Sequence, residues 1–82
     1  MNFIMIYTTC TSEDEAMHIT KILLDNNLIA CGNIIPETLS IFKWDSKISS
    51  ESECALLLKT VEENFDGISA LIKENHSYEM PC

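Results

Sequence analysis

The strongest constraint on the fold of this chain is a long extended segment in the middle of the sequence. Leu28–Ile35 and Thr38–Trp44 alternate as β-strands do, and only Pro36-Glu37 separates them, so we expect a bend or bulge there. Asp45-Ser46-Lys47 predicts a turn, and Ile48–Thr60 then returns as a second strand. Together these segments predict one extended β-hairpin.

The predicted strand Thr38–Trp44 carries apolar side chains on both of its faces. Leu39 and Ile41 occupy one face. Phe42 and Trp44 occupy the other. We expect such a strand to be covered on both sides, yet a domain of 82 residues buries only about 60–65% of its unfolded surface. Since 46% of the residues are hydrophobic, the composition favours burial against other subunits.

The segments on either side of the hairpin predict two amphipathic helices. Ser12-Glu13-Asp14-Glu15 follows a strand candidate, Phe3–Thr9, and matches a capping box. In this motif the Ser12 side chain accepts a hydrogen bond from the backbone amide three residues later, and the Glu15 side chain bonds back to the backbone at the start of the helix. Thr60-Val61-Glu62-Glu63 is a second such box and is expected to open the last helix. The residues expected to face inward are Ala16, Ile19 and Leu23 on the first helix, and Val61, Phe65, Ile68 and Ile72 on the last.

The predicted elements follow in the order β-α-β-β-α, and Tyr78–Pro81 is the beginning of a last strand. Two β-α-β halves with both helices on one face predict an α+β fold, a ferredoxin-like β-α-β-β-α sandwich. We expect one domain over residues 1–82. In that fold the last strand lies beside the first, and here it is expected to be truncated.

Charge and motif content exclude several classes of function. The net charge is -8, with thirteen acidic residues against five lysines, so we expect no nucleic acid partner and no direct membrane binding. We find no signal-peptide pattern, in which a basic segment precedes a hydrophobic run and a cleavage site, and we therefore expect a cytoplasmic protein. Because no nucleophile–base set and no Gly-rich phosphate loop occurs, we expect no enzymatic activity.

Four separate blocks resemble the CutA-type divalent-cation tolerance family. They are Leu28–Pro36, Ser40–Trp44, Leu56–Thr60 and the closing His76-Ser77-Tyr78-Glu79-Met80-Pro81, which is similar to that family's His-Pro-Tyr-x-x-Pro-Glu motif. Ser77 stands where the family usually has proline, and Cys82 where it usually has glutamate. Family members also continue with a further strand and a final helix, which this sequence lacks.

The resemblance implies a homotrimer of ferredoxin-like subunits, similar in plan to the PII signalling proteins, in which the long hairpin pairs with neighbouring subunits. It also implies a non-enzymatic role in tolerance of copper and other divalent metals. An alternative of a different class is a PII-like signalling or adaptor trimer that binds a small ligand or a partner protein at clefts between subunits, because fold alone does not determine function. Trp44, Lys59 and Tyr78 match family positions expected around such a cleft. The alternative for Trp44 and Tyr78, which we favour, is that they are packing anchors at the interface.

Two residues are the candidate metal ligands. Cys31 stands in the family's Ala-Cys block, where the resemblance implies a copper ligand, and a thiolate is a soft donor that suits copper(I). The alternative is a small buried cysteine in a strand. His76 matches the motif histidine and could ligate copper or zinc as a neutral imidazole, the alternative being a capping or packing histidine.

The remaining cysteines are expected to be free thiols without a metal. Cys10 is predicted in the loop before the first helix. Cys54 is predicted in a strand, as part of the hydrophobic core. No C-x-x-C pair occurs among the four cysteines, so neither a zinc knuckle nor a disulfide framework is predicted.

Overall fold

The computed structural model describes residues 2–75. The elements are β1 (Phe3–Cys10), α1 (Glu13–Asp25), β2 (Cys31–Trp44), β3 (Lys47–Val61), a 3-10 turn (Glu62–Asn64) and α2 (Phe65–Asn75). The α+β fold class predicted from the sequence is confirmed. Tyr78–Pro81, predicted as the start of a last strand, lies outside the described residues.

The three strands form one antiparallel sheet with the order β1-β3-β2, so β3 is the central strand. This order is consistent with the ferredoxin-like arrangement. Side chains of α1, α2 and one face of the sheet share a single core. Its buried members are Cys10, Ala16, Ile19, Leu23, Ile29, Cys54, Leu56, Leu58, Ile68 and Ile72.

The Ser12 cap of the first helix is confirmed, and the return bond from Glu15 goes to the residue before Ser12. The amide of Glu15 donates to Ser12 Oγ at 3.1 Å, and the Glu15 carboxylate accepts from the amide of Thr11 at 3.1 Å. Ala16, Ile19 and Leu23 are buried as predicted. Because this helix opens with three acidic residues, its first turn also complements the positive end of the helix dipole. No helix within residues 2–75 is both long and apolar enough to cross a membrane.

The second predicted capping box is wrong. Thr60 belongs to β3, which stays paired with β1 as far as Val61, and the Thr60 hydroxyl donates to the carbonyl of Leu28. Val61 precedes the 3-10 turn without a side-chain cap, and α2 begins only at Phe65. Phe65 was expected to face inward, but 48% of its surface is exposed at the start of the helix.

The hairpin is confirmed, with a later start and a shorter turn than predicted. Leu28–Ala30 is not part of β2, because the amide of Leu28 donates to the carbonyl of Leu23 and holds this segment at the end of α1. The turn consists of Asp45 and Ser46, whose φ angles are 50° and 63°. Positive φ at both central residues is typical of the type I′ turn that joins twisted strands.

The predicted bulge lies at Pro36-Glu37. Ile35 pairs with Ala55 and the next pair is Thr38 with Glu53, so two residues of β2 stand opposite one of β3. Glu37 adopts a φ of 57°. Proline has no amide to donate, so it suits a position where the ladder is interrupted.

Candidate functional site

One face of the sheet carries no helix. Alternate side chains of β1 point away from the core, and Phe3, Met5 and Tyr7 are 84%, 60% and 52% exposed. Directly paired residues share a face, so the register assigns further members to this surface. We call it the open face, and its exposed and half-buried residues are Phe3, Met5, Tyr7, Cys31, Asn33, Ile35, Leu57, Lys59 and Val61.

The bulge continues the open face into the outer part of the hairpin, residues 38–53, which we call the arm. Before the bulge, odd-numbered residues of β2 such as Ile35 share the open face. After the bulge, even-numbered residues such as Phe42 and Trp44 do so. Leu39 and Ile41 therefore lie on the opposite side of the arm.

The arm is apolar on both sides, as the sequence predicts, and both sides are exposed in the single chain. Leu39, Ile41 and Trp44 are 63%, 68% and 69% exposed, although all three are large and apolar. Of the twelve exposed large hydrophobic side chains within residues 2–75, only three lie on the helices, so the remainder concentrate on the sheet and its arm. Exposed apolar surface of this kind is typical of a surface that another molecule covers.

A cleft of about 610 Å³ opens at one end of the sheet. It lies where the start of β1, the loop between α1 and β2 and the end of β3 meet, and most of its lining is apolar. Its polar side chains include Lys59 and Asn64. The Asn64 amide donates to the carbonyl of Leu28 at 3.1 Å. Lys59 is the one charged side chain among the residues that line the cleft.

Cys31, the first candidate metal ligand, is the first residue of β2 and a half-buried free thiol. It stands opposite Lys59, which in turn pairs with Met5 on β1. The row across the open face is therefore a thiol, an ammonium and a thioether. A cation at Cys31 would lie near the Lys59 charge, so its binding would require that flexible side chain to turn away.

His76, the second candidate ligand, lies outside the described residues, as does Tyr78. The structure therefore does not test whether His76 joins Cys31. Helix α2, which precedes His76, packs on the core side of the sheet, whereas Cys31 belongs to the open face. Within residues 2–75, no group of three or more histidine, cysteine, aspartate or glutamate side chains is placed to hold a metal ion.

The structure brings together two cysteines that the sequence did not connect. Cys10 was predicted in a loop, but it is the last residue of β1 and pairs directly with Cys54 of β3. Their side chains are 0% and 3% exposed. The signal is the register between β1 and β3, which depends on the completed sheet and cannot be obtained from cysteine spacing.

Both of these thiols are held in the neutral form. Burial raises the pKa of Cys10 to about 12, and the negative charges of Glu15 and Glu53 act in the same direction. Burial also raises the pKa of Cys54, with a further contribution from the Glu13 carboxylate. A thiol with a raised pKa is a poor nucleophile and a poor metal ligand while it stays buried.

Comparison with known proteins identifies related chains along nearly the whole sequence. The sequence profile of the family described as CutA1 divalent ion tolerance protein matches residues 4–82. The divalent-cation tolerance protein CutA of Archaeoglobus fulgidus is 43% identical over 77 residues, which cover 94% of this chain and 74% of that protein. Protein CutA 1, chloroplastic, of Oryza sativa subsp. japonica is 30% identical, and the match covers 95% of this chain but only 44% of that protein.

A solved structure agrees with the fold. The structure of the periplasmic divalent cation tolerance protein CutA from Archaeoglobus fulgidus superposes with a TM-score of 0.92 at 41% identity. The superposition covers 98% of this chain and 78% of that one. The arrangement of strands and helices described above is therefore the arrangement of its relatives.

Proposed function

Since this chain belongs to the CutA1 divalent ion tolerance protein family, we propose that it acts in copper tolerance as a homotrimer that binds the metal in the cytoplasm. The observation that carries the trimer is the exposed apolar surface of the open face and the arm. Such a surface is unfavourable in water and becomes favourable when another subunit covers it.

The arm is the part expected to contact neighbouring subunits. Ile41 and Trp44 lie on its two sides, and each is more than two-thirds exposed in the single chain. A neighbour that covered only one side would leave the other in water. We therefore propose that the arm inserts between two other subunits, which is an arrangement that a closed ring of three can provide.

Light scattering on the purified protein tests the trimer. We expect a mass of about three times the 9.3 kDa of the chain. Trp44→Glu, which places a charge on the arm, should lower that mass. Leu24→Glu, on the outer surface of α1 at 42% exposure, is the matched control and should not. A wild-type monomer, or equal loss in both variants, would contradict the proposal.

For the metal we propose copper(I), with Cys31 as the thiolate ligand and His76 as the imidazole ligand. Cys31 supports this assignment because it is the one described cysteine on the open face, where a neighbouring subunit could complete the ligand set. Cys10 and Cys54 are turned to the core and have raised pKa values. Soft thiolate and imidazole donors both suit copper.

Copper(I) titration of the reduced protein against a chromogenic chelator tests this site. Cys31→Ser should weaken the affinity by more than the about tenfold that is typical for losing an outer-shell partner. His76→Gln should weaken it as well, whereas His18→Gln, at an exposed position on α1, is the matched control. Unchanged affinity in both site variants would exclude the assignment.

A non-catalytic, cytoplasmic role is a further part of the proposal. Cys31, a half-buried free thiol on the open face, suits a reducing compartment, where thiols persist. The Archaeoglobus fulgidus structure is described as that of a periplasmic protein, so location needs a direct measurement. Fractionation of cells that produce the protein from its native gene should place it with cytoplasmic markers.

The cleft of about 610 Å³ favours a second candidate, a PII-like signalling or adaptor trimer. Its mostly apolar lining with one lysine suits a small ligand that carries an anionic group. A thermal-shift screen of nucleotides and carboxylates beside copper(I) would separate the two functions, because a ligand that binds the folded state stabilises it. Stabilisation that disappears in Lys59→Gln would favour the second function.

A further inference from the structure

Cys10 and Cys54 stand directly opposite each other across the β1–β3 ladder. Opposed residues in antiparallel strands have Cα atoms about 4.5 or 5.5 Å apart. Both values lie inside the range of about 4.4–6.8 Å that a disulfide spans. The two side chains belong to the same core cluster, whereas Cys31 lies on the other face of the sheet. Geometry thus pairs Cys10 with Cys54 and excludes Cys31.

Both positions can also make the small movement that a disulfide needs. Opposed Cβ atoms in a sheet lie about 4.5–5.5 Å apart, and a disulfide brings them to about 3.5–4.5 Å. Cys10 is the terminal residue of β1. Cys54 faces the bulge on its other side, where no regular pair with β2 constrains it. An approach of about 1 Å is therefore feasible at this place in the sheet.

We propose that Cys10 and Cys54 form an intramolecular disulfide site, which closes by exchange with a low-molecular-weight disulfide such as oxidised glutathione. The thiolate of one cysteine attacks a sulfur of the glutathione disulfide, whose S–S bond breaks and releases one glutathione thiol. The second cysteine then attacks the protein sulfur of the mixed disulfide and releases the second glutathione. Two thiol protons and two electrons pass from the protein to glutathione.

Burial raises the pKa of Cys10, and the Glu15 and Glu53 carboxylates act in the same direction, so the folded protein disfavours the thiolate that the exchange requires. Because both thiols are buried, the attack takes place while the end of β1 is detached, during folding or local opening. The bond then fixes the end of β1 to the central strand.

Oxidative refolding followed by peptide mapping tests the proposal. The reduced, unfolded chain is refolded in a glutathione redox buffer, the remaining thiols are alkylated, and the protein is cut with trypsin. The five lysines and the absence of arginine place each cysteine in its own peptide, residues 1–21, 22–43, 48–59 and 74–82. We expect a cross-link between peptides 1–21 and 48–59, retained in Cys31→Ser and lost in Cys10→Ser.

Alkylation of all four cysteines in wild-type protein, or a link from peptide 1–21 to a different cysteine, would overturn the proposal. Treating the folded protein with oxidised glutathione gives the same map without relying on refolding. The melting temperature provides a second readout, since a disulfide that closes a loop of about 45 residues restricts the unfolded chain. We expect the oxidised form to melt several degrees higher than the same sample after reduction, and an equal or lower value would refute a preformed site.

Discussion

Replacing Gly32 with alanine should destabilise the protein, because α1 lies against the backbone of β2 at this residue. A Cβ atom at Gly32 would be 2.8 Å from Thr20 Cγ2, 3.3 Å from Thr20 Oγ1 and 3.4 Å from Leu58 Cδ2. Thr20 cannot easily turn away, since its buried hydroxyl donates to the carbonyl of Ala16 at 2.7 Å. Either that hydrogen bond or the distance between α1 and β2 must change.

The expected magnitude follows from two opposing effects. Overpacking of a core costs about 1–3 kcal/mol, and alanine regains about 0.4–1 kcal/mol by restricting the unfolded chain. No glycine within residues 2–75 has a positive φ, so alanine adds no backbone strain at Gly32. The net loss should be about 1–2 kcal/mol. For a domain of this size that lowers the melting temperature by about 5–15 °C.

A second substitution tests the cause. Thr20→Ser removes the methyl group that collides and keeps the hydroxyl, so the Gly32→Ala/Thr20→Ser double variant should lose less stability than the sum of the single variants by about 1 kcal/mol. Thr20→Val is the matched control, because it keeps a methyl group at that place. All variants are melted at one protein concentration, since subunit association contributes to stability. The explanation would be refuted if Thr20→Ser and Thr20→Val showed the same coupling energy with Gly32→Ala, or if Gly32→Ala alone left the stability unchanged.

Three further predictions concern single side chains. Wild-type protein should lose stability as the pH rises from about 9 towards 12, because the unfolded Cys10 thiol ionises near its ordinary pKa of 9.0 while the folded one has a pKa of about 12. Urea unfolding of Cys10→Ala across that range should show a smaller loss, and an identical loss would contradict the assignment. Thr60→Val removes a donor to the Leu28 carbonyl and an acceptor for Asn64, so it should cost about 1–2 kcal/mol in the same assay. Ser12→Ala should cost about 1 kcal/mol through loss of the helix cap, whereas Ser12→Asp should retain most of it.

The hairpin and its bulge were predictable because their signals are local. Pro36 interrupts a run of alternating residues, and Asp45-Ser46 is a turn pair between two strands. The apolar pattern of the arm likewise predicts large apolar side chains on both of its faces, as the structure shows. Neighbouring residues determine these features, so they can be predicted from a single sequence.

Features that depend on contacts between distant segments were not predictable. Thr60-Val61-Glu62-Glu63 has the spacing of a capping box, but pairing with β1 holds Thr60 in the strand, and its hydroxyl bonds to Leu28, 32 residues away in sequence. The Cys10–Cys54 pair depends in the same way on strand register. The candidate site was predicted only in part, since Cys31 is placed by the structure and His76 lies outside the described residues.

The bulge at Pro36-Glu37 also limits how this hairpin can change in length during evolution. Insertion or deletion of a single residue between the bulge and Leu39 would exchange the two faces of the rest of the strand, so that Phe42 and Trp44 would trade sides with Leu39 and Ile41. A change of two residues in each strand would leave both faces intact and alter the reach of the arm by about 7 Å. Variation in arm length among related chains should therefore occur in even steps, and an odd step should coincide with the gain or loss of a bulge.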